Sequence, residues 1–122
     1  FHVAVDESRA EAVATRAPVT YTEPFEKYRR VNPEGAGGVT EEFLDDLGSY
    51  DFEEVEDGLD VPVAVFHGRD DATVELRHTV EAVGALRTDV VFHAYADEGH
   101  GFSHDAEARL RDHLFGWLET VV

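Results

Sequence analysis

The sequence predicts an α/β domain built on parallel strands, and three observations within one stretch carry that expectation. Val61-Pro62-Val63-Ala64-Val65-Phe66 is an apolar run without polar alternation, as in a strand buried on both faces. From Glu75 to Leu86 the apolar residues Leu76, Val80, Val83 and Leu86 recur every three or four positions, which places them on one face of a helix. A second apolar run, Val90 to Tyr95, follows. Strand, helix and strand in that order close through a right-handed crossover, so the two strands are expected to be parallel. The turns that leave them, His67-Gly68-Arg69-Asp70-Asp71 and Glu98-Gly99-His100-Gly101-Phe102, then fall at the same carboxyl edge. Open α/β sheets bind their ligands there.

The other elements are read in chain order. Phe1, Val3 and Val5 alternate, yet Ala4 and Val5 equally suit the end of a helix that began earlier; Asp6, Glu7, Ser8 and Arg9 read as a connection. Opening on a large apolar residue suggests a segment of a longer protein. Ala12 to Val19 gives a third strand, in which Pro18 ends ladder pairing and Arg16 argues against burial on both faces. Residues 20–60 form an irregular helical insert punctuated by Pro24, Pro33, Gly35, Gly37 and Gly38. One short helix is expected to begin at Pro24 and turn Phe25 and Tyr28 inward, and a second, capped by Thr40, to bury Phe43, Leu44 and Leu47. A further helical turn is expected around Phe52 to Val55. Connections longer than about 12 to 15 residues often wall a site, while the plainer alternative is a loop with short helices. From about Asp105 to Val121 a long helix carries the stripe Ala106, Leu110, Leu114, Trp117, Leu118 and Val121, opposite Glu107, Arg109, Arg111, Asp112 and Glu119.

Composition bounds the functions. With 122 residues and 43% hydrophobic content the chain can bury one core, and one domain is expected. The net charge of -17, from 27 acids against 10 bases, is spread along the chain and reads as a solvated surface, which disfavours nucleic acid as a partner. Lys27 is the one lysine, arginine supplying the other bases. Self-repulsion of such a surface is screened at molar salt, where the Debye length is about 3 Å, so a halophilic source is the economical expectation. No cysteine is present, which removes disulfides and thiolate chemistry. No apolar run approaches the roughly 20 residues of a membrane span. No signal peptide is visible, an absence of little weight in a sequence that opens like a segment of a longer protein; a cytoplasmic location is expected.

The run His67-Gly68-Arg69-Asp70-Asp71-Ala72-Thr73-Val74, followed by Gly99-His100-Gly101-Phe102 and the terminal amphipathic helix, resembles the carboxyl-terminal part of an α/β-hydrolase. The nearest branches in style are the prolyl oligopeptidase and dienelactone hydrolase-like ones, with H-G-x-x-D-x-x-V after the seventh strand and G-H-G-F after the eighth. The likeness covers about the last 62 residues, and Ala12 to Thr20 is similar to the sixth strand. It implies a Ser-His-Asp hydrolase in which His100 is the general base and Asp71, at the motif's acid position, orients and stabilises its imidazolium. A serine hydroxyl needs a base within hydrogen-bond reach, and an acid on the other ring nitrogen holds the tautomer. The order acid then histidine agrees with this fold.

The nucleophile is missing. G-x-S-x-G should precede the sixth strand, and none of the three serines, Ser8, Ser49 and Ser103, has that surrounding. If the resemblance holds, Phe1 falls near the end of the helix after the nucleophile. The chain is then a single partial α/β-hydrolase domain over 1–122, with an incomplete sheet, and is expected to be inactive alone.

Plainer readings stand beside these. Asp71 could be an ordinary turn acid; its pairing with the histidine motif argues otherwise. His67 is expected to pack or hydrogen-bond in its turn, His93 to be a satisfied, partly buried histidine, and Asp70 to be solvated or paired with Arg69. His100, His104 and Asp105 could be read as metal ligands, but Gly101 and Phe102 break the helical spacing and there is no H-E-x-x-H, so no metal and no cofactor is expected. The expected partners are a small ester or peptide substrate and the missing N-terminal half, with association into a homo-oligomer through the open sheet and no membrane partner. Two alternatives remain: a catalytically dead hydrolase-like binding or assembly module, and an unrelated flavodoxin-like binding domain.

Overall fold

In the computed structural model, residues 1–21 and 51–122 are described. The helices expected at Pro24 and at Thr40 lie outside them. Strands β1 (Val13–Arg16), β2 (Val63–Gly68) and β3 (Val90–Tyr95) form one sheet in the order β1-β2-β3, every pair parallel. Around it stand α1 (His2–Asp6), α2 (Phe52–Gly58), α3 (Leu76–Ala85) and α4 (His104–Val121).

β2 is central and every one of its residues is buried, as its unbroken apolar sequence requires. Its two faces sort the core. Val63 and Val65 pack with Phe52, Val55 and Leu59 around α2 and with Ala82 and Leu86 around α3. Ala64 and Phe66 pack on the other side with Tyr95 and Trp117, flanked by Leu110, Leu114, Leu118 and Val121 of α4. Each large side chain so buried contributes about 1.5–3 kcal/mol. The amphipathic stripe of α4 therefore has the sheet as its floor. Asp51 caps α2 by accepting the Glu53 N–H at 3.0 Å, and Ser103 caps α4 by accepting the Ala106 N–H at 3.2 Å.

The structure refines several of the expected elements. β2 does not end at Phe66: His67 and Gly68 continue the ladder, opposite Ala94 and Tyr95. A buried histidine is tolerated there because its ring makes a hydrogen bond described below. The buried stripe of α3 is turned by one position, with Thr79 and Ala82 inside and Val80 50% exposed. Small Thr79 and Ala82 let the helix lie close on β2, which outweighs the greater apolarity of Val80. The turn at Phe52 grows into the full helix α2, and residues 2–6 form the short helix α1. β1 spans four residues in an alternating, half-exposed pattern, with Arg16 exposed as its charge suggests. It stops where Ala17 turns to φ 46, just before Pro18.

Candidate active site

The site grows out of the two turns at the carboxyl edge of β2 and β3. Parallel register sets Gly68 opposite Tyr95, so both strands deliver their turns at one level. The turns then touch. Arg69 N–H donates to the Tyr95 carbonyl at 3.0 Å, and Asp70 N–H to the Glu98 carbonyl at 2.9 Å. Gly68 is required by space: a Cβ there would stand 2.3 Å from the Glu98 oxygen and 2.5 Å from the Gly99 oxygen. Any side chain would push the two turns apart.

Asp71 is fixed by its own turn. Its Oδ1 accepts the N–H groups of Thr73 at 2.9 Å and Val74 at 2.8 Å, an Asx-type turn that aims Oδ2 the other way. The side chain is fully buried, whereas Asp70 is exposed and makes no pair with Arg69. Burial alone would push the Asp71 carboxyl up. The Val74 N–H, the His100 ring and the Thr73 N–H outweigh it and hold the carboxyl below its ordinary value of 3.8, so it is ionised at neutral pH.

The histidine turn is closed at its base. Asp97 takes the left-handed conformation, φ 61, that aspartate tolerates. The Glu98 carboxylate accepts the Ser103 N–H at 2.7 Å and its hydroxyl at 3.2 Å, which also holds the Glu98 carboxyl below its ordinary range. The loop from Glu98 to Ser103 is thereby clasped, with His100 near its tip. His100 Nδ1 lies 2.9 Å from Asp71 Oδ2, and the ring is 48% exposed. An ionised carboxylate only accepts, so Nδ1 carries the proton and Nε2 is left with its lone pair, without a hydrogen-bond partner among the described residues. A buried acid orienting a half-exposed imidazole can take a proton from a hydroxyl presented to Nε2 and return it to a leaving group.

His67 is wholly buried, with Nε2 2.8 Å from the Val74 carbonyl and 3.3 Å from Asp71 Oδ2. His93 is half-buried between the Phe66 ring, 5.3 Å away, and the His113 ring, 4.3 Å away. His104 and Asp105 open α4 and are exposed. Ser103 caps that helix, Ser8 is exposed beyond α1, and Ser49 lies outside the described residues. Among the described residues, therefore, no serine hydroxyl is hydrogen-bonded to His100. Sequence reasoning missed the Glu98–Ser103 clasp and the approach of His67 to Asp71. The first left a trace, a serine followed by Asp105 and Glu107 in a helical first turn. The second left only an i,i+4 spacing with no helix to give it meaning.

The prolyl oligopeptidase family profile matches residues 10–122. No curated protein sequence matches. Among solved structures, mouse alpha/beta hydrolase domain-containing protein 10 superposes with a TM-score of 0.80 at 14% identity, over 99% of this chain and 57% of that one. Est1E from Butyrivibrio proteoclasticus gives 0.72 at 14% identity, over 96% and 54%. A puromycin-hydrolyzing peptidase from Mycobacterium tuberculosis gives 0.62 at 16% identity, over 81% and 16%. The three parallel strands and their helices thus match a portion of the α/β-hydrolase fold, and the chain spans only part of each of these structures.

Proposed function

The chain belongs to the prolyl oligopeptidase family, and from that premise we propose that it carries the acid and the base of a Ser-His-Asp hydrolase cleaving an ester or peptide bond. The observation that supports this most is the 2.9 Å contact between His100 Nδ1 and the buried, ionised Asp71. Family membership removes the unrelated flavodoxin-like alternative.

In this reading a serine from outside these 122 residues presents its hydroxyl to His100 Nε2. Nε2 takes the proton as the oxygen attacks the carbonyl carbon, and Asp71 stabilises the imidazolium so formed. The imidazolium then protonates the departing alcohol or amine, leaving an acyl-serine that water hydrolyses by the same route. The missing half adds its strands beside β1, an edge strand of the sheet among the described residues. By itself the chain is inactive, prone to associate through its open edges, and suited by its acidity to a salt-rich cytoplasm.

The test is a polypeptide joining this chain to an N-terminal half that bears G-x-S-x-G. It is expected to take up a fluorophosphonate, and His100→Ala is expected to abolish the labelling. The 122-residue chain alone is expected to show no His100-dependent hydrolysis of an activated aryl ester. An intact joined protein that forms no adduct would leave the dead binding module as the surviving account.

A further inference from the structure

Beside the dyad stands a second histidine, buried and not needed for proton transfer. We propose that His67 is a positioning residue that locks the Asp71 carboxylate toward His100, an inference that rests on the triad reading above and deepens it. His67 is the fifth residue of β2, paired opposite Ala94, and its side chain has no solvent exposure. Its place is therefore set by the central, wholly buried strand of the sheet.

The ring's protonation pattern follows from its partner. The Val74 carbonyl, 2.8 Å from Nε2, can only accept, so the proton resides on Nε2. Val74 is thus gripped on both sides, its N–H donating to Asp71 Oδ1 at 2.8 Å and its carbonyl accepting from His67. This ties the 71–74 turn back to the strand. The same Nε2 lies 3.3 Å from Asp71 Oδ2. The N–H points at the carbonyl, and its positive end stands beside the carboxylate oxygen that also faces His100 Nδ1 at 2.9 Å. Oδ2 accordingly sits between two imidazoles, one buried and fixed, the other half-exposed and free to exchange protons. If the carboxylate rotated about its Cα–Cβ bond it would leave both, along with the two N–H groups on Oδ1.

Three versions of the 122-residue chain, unaltered, His67→Leu and His67→Gln, separate this role from simple packing. The leucine fills the space and removes the donor, while the glutamine amide reaches about as far as Nε2 and keeps an N–H. Asp71 is followed by the titration of its side-chain carboxyl carbon and by the couplings that report its side-chain rotamer. In His67→Leu the Asp71 midpoint should rise by about half a pH unit or more and the rotamer should become averaged. In His67→Gln both should return most of the way. An Asp71 titration and rotamer unchanged in folded His67→Leu would overturn the proposal. Should the leucine variant fail to fold, the unaltered chain still decides: nitrogen spectra should show the His67 proton on Nε2, exchanging slowly, and a proton on Nδ1 would refute the arrangement. The fluorophosphonate experiment is independent of these readouts. A shifted Asp71 in a protein that forms no adduct would keep His67's hold on the carboxylate and remove only the triad.

Discussion

Gly68→Ala is the change that most directly strains the meeting of the two turns. One methyl group would be placed 2.3 Å from the Glu98 carbonyl oxygen, 2.5 Å from that of Gly99 and 2.8 Å from the Glu98 carbonyl carbon. All three are backbone atoms, so no rotamer change relieves the overlap. Ordinary contact distances require the histidine turn to retreat by roughly 1 Å. Overpacking of this kind costs about 1–3 kcal/mol. The retreat also breaks the 2.9 Å hydrogen bond from Asp70 N–H to the Glu98 carbonyl, adding about 1 kcal/mol. A total near 2–4 kcal/mol is expected, read as a lower urea midpoint by the fluorescence of Trp117, the one tryptophan. If the same displacement is directed away from Asp71, it carries His100 Nδ1 from 2.9 Å to about 3.9 Å, past bonding distance, so the hydrogen-bonded Nδ1 proton should disappear from the spectrum. A Gly68→Ala chain that loses under about 0.5 kcal/mol and keeps that proton would refute the claim that contact between the turns positions the pair.

Further outcomes follow from other contacts. The Asp71 carboxyl is held below its ordinary value of 3.8 in the folded chain, so its stabilisation is complete above that value and is lost as pH falls through the lower folded value; Asp71→Asn should cost about 2 kcal/mol at neutral pH and flatten that part of the acid-unfolding curve. Burial first, and the facing His113 second, lower the His93 pKa from its ordinary 6.5. The unfolded chain therefore takes up that proton first, and stability should fall as pH drops through 6.5 toward the folded value. His93 is flanked by Phe66 of β2, Tyr95 of β3 and His113 of α4, with the Tyr95 hydroxyl 2.7 Å from His113 Nδ1 and Arg109 over the Tyr95 ring. Urea midpoints at pH about 8 and about 5.5 should differ less in His93→Phe than in the unaltered chain; an equal difference would assign the slope elsewhere. Ser103→Ala removes the cap on α4 and a donor to Glu98, and should cost about 1 kcal/mol while speeding hydrogen exchange at the Ala106 amide.

The fold was legible because a strand buried on both faces leaves no room for polar residues, and Val63 to Phe66 obeys that rule; Val90 to Tyr95, mostly half-buried and carrying His93, was legible from its apolar run and its place after the helix. What the rule misplaces is the end of β2. His67 looks like turn chemistry, yet it stays in the ladder because its N–H finds the Val74 carbonyl. Hydropathy likewise picks Val80 for the face of α3, where close approach to the sheet selects Thr79 and Ala82 instead. Parallel strands alone bring the two turns to one edge, while the choice of Asp71 as the partner of His100 came from the resemblance to the α/β-hydrolase motifs. The supports of this pair were not legible. Gly68 is demanded by backbone atoms thirty residues further along, and Glu98 meets Ser103 only after the loop has closed. Hydrogen bonds between a strand histidine and its own following turn have no periodicity to betray them.

The most direct test of the central claim is the imidazole proton of His100 in the 122-residue chain. A hydrogen bond to buried, ionised Asp71 predicts a distinct downfield Nδ1–H resonance at neutral pH that vanishes in Asp71→Asn. A His100 ring whose proton sits on Nε2, or whose spectrum is the same with and without the Asp71 carboxylate, would contradict it.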